Sequence, residues 1–172
     1  MDHDGDDHWL YRFDLCFRDQ SVCLGGIEIM TKKSCYDITT FGEILIDFTW
    51  QGVNEEGQAV FAQNPGGAPA NVAVAAAKLG ARTAFLGKAG KDMHGEFLKE
   101  VLKKENVETD GMILDEKFFT TLAFVKTAEN GERSFSFARK PGADTRIEKE
   151  EIHTVILDQT KIFHAGSLSL TD

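Results

Sequence analysis

Several things are missing from this sequence, and each absence excludes a class of function. There are three cysteines, Cys16, Cys23 and Cys35, an odd count without CxxC spacing. A disulfide framework or zinc site is therefore not expected, and a reducing cytoplasm is the default compartment. No apolar run is long enough to span a membrane, and the start is acidic where a secretory signal needs a basic one. Lys and Arg number 19 against 28 Asp and Glu, giving a net charge of -9, and they form no cluster, which argues against nucleic acid as a partner. Neither the GxGxxG dinucleotide fingerprint nor the GxxxxGK[ST] phosphate loop occurs.

What remains is a chain of 172 residues, 42% hydrophobic, enough for one ordinary domain with its core. Its first 29 residues differ from the rest. Asp2, Asp4, Asp6, Asp7, Asp14, Asp19 and Glu28 face only Arg12 and Arg18, so this stretch carries -5 of the net charge of -9. MDHDGDDH reads as a metal-binding tail or as a solvated extension. Met30, followed by Thr31, Lys32 and Lys33, resembles a natural start. Residues 1–29 are thus expected to be a disordered extension or the product of a misassigned start, and residues 30–172 the domain.

The chain is organised around Asn64 to Gly90, NPGGAPANVAVAAAKLGARTAFLGKAG. A Pro and two Gly make a tight turn, Pro69 to Asn71 open an Ala-rich helix, Gly80 stops it in a left-handed conformation, and Thr83 to Leu86 reads as a buried strand. A Gly pair before a helix lets a ligand approach the backbone, where unpaired amides favour a polar group.

Upstream, Tyr36 to Trp50 reads as a strand that bends at Gly42. Asp47 stands at its apolar end, either as a strand-end carboxylate facing water or as a ligand group. Gln51 to Gln58 reads as a loop and Ala59 to Gln63 as a return strand, which brings Asp47 towards the Gly pair. Downstream, Asp92 is placed to cap a helix over Met93 to Glu105, with His94 facing solvent. Gly111 to Leu114 reads as a strand. Thr120 to Thr127 and Arg133 to Arg139 form a hairpin around Glu129, Asn130 and Gly131, with Phe135 and Phe137 on one face. Glu148 to Leu157 reads as a short amphipathic helix and Lys161 to Ala165 as a buried strand. Alternating strands and helices with added β-ribbons predict a mostly parallel sheet covered by helices, with a β-flap.

GGAPANVAVAAAKLGARTAFLGKAG resembles the N-terminal signature of the ribokinase-like sugar kinases, the PfkB carbohydrate kinase family. FGEILIDFT from Phe41, GKAGKDMHGEFL from Gly87, TTLAFVKTAENGERSFSFARKPGAD from Thr120 and IFHAGSLSLTD from Ile162 resemble its fructokinase branch in the same order, over about residues 36–172. The resemblance implies an α/β fold, a ribokinase-like three-layer α/β/α sandwich with a β-ribbon lid over the sugar, here truncated. It implies that Asp47, Gly66, Gly67 and Asn71 bind substrate, because a carboxylate accepts hydrogen bonds from neighbouring hydroxyls, the glycines allow close backbone approach and an amide both donates and accepts. Arg139 either reaches over the sugar from the lid or is a solvated charge at a strand edge.

Family members carry a second signature with a GAGD core, whose Asp is the base and whose backbone amides neutralise the transferring phosphate. No GAGD occurs in this sequence. The resemblance therefore implies the sugar-binding portion of a kinase, with no catalytic or metal-binding residue of its own and with ATP and Mg²⁺ serving the complete protein. Fructose is the expected sugar, with 2-keto-3-deoxygluconate or another sugar as the alternative, and a non-catalytic half-kinase module as the alternative of another class. An exposed lid edge would allow a homodimer.

Overall fold

The computed structural model describes residues 35–127, 132–166 and 168, together with the backbone of 20–24 and 27–31. Strands β1 (Gln20–Leu24) and β2 (Ile27–Thr31) pair antiparallel as a separate ribbon. The expectation for residues 1–29 otherwise lies outside the described residues. Cys35 is disulfide-bonded, which corrects the expectation that the cysteines form no disulfide.

The body is a parallel sheet. Strand β3 (Tyr36–Phe41) lies between β6 (Thr83–Gly90) and β11 (Thr160–Ala165), and β6 also pairs with β7 (Val107–Glu108) and β8 (Met112–Asp115). All eight residues of β6 are buried, the pattern of a strand covered on both faces. On one face Phe85 packs with Ala70 and Ala73 of helix α1 (Ala68–Lys78) and with Leu98 and Leu102 of helix α2 (Met93–Lys104). On the other, Ala84 and Leu86 meet Ile156 of the short helix α3 (Thr154–Asp158). These are the three layers expected from the sequence.

Helix α1 is built as the sequence suggests. Pro69 lies in its first turn, alanine is the best helix former, and Gly80 at φ +91° follows its end. Alanine also lets the helix lie close to the sheet, with Ala73 fully buried. Helix α2 starts at Asp92, whose carboxylate accepts from the amides of His94 and Gly95 at 3.0 and 2.9 Å.

A second, four-stranded sheet stands on this body in the order β10 (Arg133–Ala138), β9 (Leu122–Thr127), β4 (Leu45–Val53), β5 (Ala59–Gly66). The chain crosses from body to ribbon sheet at Gly42, φ +142°, the bend expected there. Three expectations need correction. Strand β4 continues through Gln51 to Val53 before the turn, paired with β5 across a register shift. Glu148 to Leu157 is not one helix: a 3₁₀ turn at Lys149–Glu151 ends where Ile152 takes extended backbone at ψ 123°, and α3 starts afresh at Thr154. Strand β11 is not buried, since Ile162 and Phe163 are 60% and 52% exposed.

Lys88 donates to Glu151 Oε1 at 2.8 Å and to the Arg146 carbonyl at 2.9 Å, and pairs with Asp115 Oδ2 at 2.7 Å. Burial draws its ammonium down, but these carboxylates outweigh burial and raise it above the ordinary lysine value.

Asp92 provides a test of how the ribbon sheet is joined to the body. Besides its two cap bonds it accepts from the Thr120 amide and hydroxyl, both at 2.8 Å, at the start of β9. Burial pushes this carboxyl up, yet the four donors hold it below 3.8. Because its folded value is depressed, the stability it contributes is full above about pH 4 and is lost as pH falls towards that lower value. Asp92→Ala should cost about 2–3 kcal/mol at pH 7, read as a lower urea midpoint at unchanged slope, and the deficit should shrink under acid.

Candidate functional site

The site is built where β4 and β5 meet the start of α1. Asp47 of β4 stands opposite Asn64 of β5 and beside Ala123 of β9, and Ala123 stands opposite Phe137 of β10. Partners in register share a face, so Asn64, Asp47, Ala123 and Phe137 form one row across the ribbon sheet. Phe135 and Phe137 stack on this face with centroids 6.2 Å apart and are 55% and 50% exposed.

Among the described residues, no donor reaches the Asp47 carboxylate. Burial alone pushes its carboxyl above the usual 3.8. A half-buried carboxylate with no protein donor is costly in the free chain and is suited to hydroxyl donors supplied from outside.

Gly66 and Gly67 are glycines for steric reasons. A Cβ at Gly66 would collide with Asp47 Oδ2 and lie 2.9 Å from Leu45 Cδ1. Gly67 sits at φ +106°, where a Cβ would collide with the Glu43 carbonyl oxygen. The first glycine therefore gives space to the Asp47 carboxylate and the second lets the chain turn into α1. Asn71, exposed on the first turn of that helix, lies with Pro65, Gly66 and Leu98 along a cleft of about 140 Å³ between α1 and α2. Gly66 thus touches Asp47 on one side and shares a cleft with Asn71 on the other.

Arg139 is placed differently from either sequence reading. It is 10% exposed, and its guanidinium donates to Asp144 Oδ2 from Nε at 3.2 Å and from Nη2 at 3.0 Å, and to the Leu168 carbonyl at 2.6 Å.

Two residues escaped the sequence reading. Glu43 is 4% exposed; its Oε1 accepts from the Ala68 amide at 3.0 Å, while Oε2 is buried without a partner. Its FGE context indicates a turn out of β3 but not that the side chain reaches back to a helix start. His94 does not simply face solvent: its ring meets Phe48 edge-on at 5.7 Å and its Nδ1 is buried without a partner. It lines, with Phe119, Thr120, Phe137 and Arg139, an open cavity of about 640 Å³ beside the ribbon.

No group of three or more His, Cys, Asp or Glu converges on a metal site among the described residues, and no helix there is long and apolar enough to cross a membrane.

The family model for pfkB family carbohydrate kinases matches residues 36–172. The probable fructokinase-6, chloroplastic, of Arabidopsis thaliana is 46% identical over 142 residues, covering 81% of this chain and 37% of that protein. Among solved structures, the fructokinase from Xylella fastidiosa superposes with TM-score 0.75 at 44% identity, over 79% of this chain and 42% of its own. The same enzyme with bound ATP gives 0.74 at 43%, over 80% and 44%. The chain spans about two fifths of the length of the relatives it matches. The family match covers the body sheet, both ribbon strand pairs and the Gly66–Gly67 turn. The chain belongs to the pfkB family of carbohydrate kinases.

Proposed function

We propose that the protein carrying this chain is a fructokinase, transferring the γ-phosphate of ATP to fructose to give fructose 6-phosphate and ADP with Mg²⁺, and that this chain supplies the sugar-binding part. The observation that carries the reading is the donor-free, half-buried Asp47 carboxylate set over Gly66 on the ribbon sheet. Fructokinase relatives at 44–46% identity, collinear with the chain, support fructose as the sugar. In this reading Asp47 accepts two sugar hydroxyls, Gly66 and Gly67 bring the backbone close, and Asn71 contacts a further hydroxyl. The base and the phosphate-binding amides come from residues outside this chain. The exposed aromatic face of β10 and the open edges β5 and β10 support association of two copies through the ribbon sheets.

Calorimetric titration with fructose tests the site. Asp47→Asn keeps the shape but loses the charged acceptor, and should weaken binding about tenfold or more. It should leave the melting temperature unchanged or slightly higher, because a charge that burial disfavours has been removed. Unchanged affinity would count against the site. Binding should also weaken as pH falls through the Asp47 value, which lies above that of an ordinary aspartate, because protonation removes the acceptor.

Substrate class has its own test. ATP consumption by the protein carrying this chain should be greater with fructose than with 2-keto-3-deoxygluconate. A clear preference for the acid would replace fructose by a sugar acid.

A further inference from the structure

The β9–β10 ribbon leaves the body at Thr120 and Thr121 and returns at Arg139, and both ends are tied down by carboxylates. Thr121 donates its hydroxyl to Asp144 Oδ1 at 2.5 Å, while Arg139 grips Oδ2 of the same carboxylate. Asp144 is 1% exposed and sits in a 3₁₀ turn (Ala143–Thr145) whose Ala143 amide donates to the Phe119 carbonyl at 2.9 Å. A Cβ at Gly142 would collide with the Thr121 hydroxyl and lie 2.7 Å from Asp144 Oδ1, so the turn is packed directly against the start of β9. The bond from Arg139 to the Leu168 carbonyl joins this cluster to the segment after β11.

The cluster lies two residues from Ala123, which stands next to Asp47 in its row, and two from Phe137, which follows Ala123 in that row. We propose that Arg139 and Asp144 are positioning residues for the sugar site: their ion pair anchors the base of the ribbon and so sets where Ala123 stands beside Asp47 and where Phe137 stands next in the row. The proposal rests on the sugar-site reading of Asp47. Arg139 then acts on the sugar through the ribbon and not by contact. Its planar fork serves a carboxylate and a carbonyl together, which an ammonium cannot do in one geometry.

The test is a double-mutant cycle in the full chain: Arg139→Met, Asp144→Asn and the pair, with Arg139→Lys as a milder variant should loss of one buried partner unfold the chain. Calorimetry with fructose reads the site, and amide hydrogen exchange reads β9 and β10. Each single variant should weaken fructose binding about tenfold or more, as expected when a site's walls are displaced, and the double variant no further. Exchange in β9 and β10 should rise about tenfold while that of β6 stays unchanged, and Arg139→Lys should fall between. A guanidinium that itself held the sugar would behave otherwise: Asp144→Asn would free it and preserve or raise affinity, and ribbon exchange would not follow Arg139→Met. That pattern overturns the proposal. If the unmutated chain does not bind fructose, the sugar reading of Asp47 falls, and exchange alone decides the anchor: a selective rise in β9 and β10 supports it, and unchanged protection in every variant overturns it.

Discussion

The packing of Glu43 against the start of helix α1 is the constraint on which the other parts depend. One residue meets the turn twice: its carbonyl closes on Gly67 so tightly that only glycine fits, and its carboxylate takes the Ala68 amide. These contacts fix the crossing from the body sheet to β4 against the turn that ends β5 and begins α1. Everything at the candidate site is referred to that junction. Asp47 follows four residues after Glu43, inside β4, Gly66 and Gly67 are the turn itself, and Asn71 is one helical turn further on.

Three aspartates around the ribbon sheet show how environment gives one side chain different roles. Asp92 is half-buried but saturated by four donors, which hold its carboxyl low. Asp144 is almost fully buried and meets a guanidinium and a hydroxyl. Asp47 is partly buried and has no donor among the described residues, and burial raises its carboxyl. The first two are structural because the protein satisfies them. The third is the one whose hydrogen-bonding capacity the fold leaves open.

The elements legible in the sequence were those specified locally. Gly80, Asp92 and the Ala run mark the helix boundaries through backbone conformation and capping, and the structure places them there. The two ribbon arms followed from alternation, and the parallel sheet covered by helices from the order of strands and helices, while the three layers were implied by the family resemblance. What the sequence concealed was long-range. The Thr121–Asp144 and Glu43–Ala68 bonds, 23 and 25 residues apart in sequence, depend on how separate elements meet, which periodicity does not encode. The bond of Glu151 to Lys88, 63 residues away in sequence, is of the same kind. Asp47 lay between these cases: its position at an apolar strand end was visible, but its lack of donors was a property of the assembled neighbours.

At the opposite end of the body sheet, Asp37 accepts from the amide and side chain of Arg82 and from Lys161 at 2.7 Å, which draws its carboxyl well below the ordinary range. These residues sit at the beginnings of β3, β6 and β11, so one carboxylate gathers all three strands where they enter the sheet. The candidate site lies beyond their other ends. The carboxylate that aligns the strand starts is therefore set apart from the candidate site along the strand axis, and substitutions around Asp47 leave the Asp37 contacts in place.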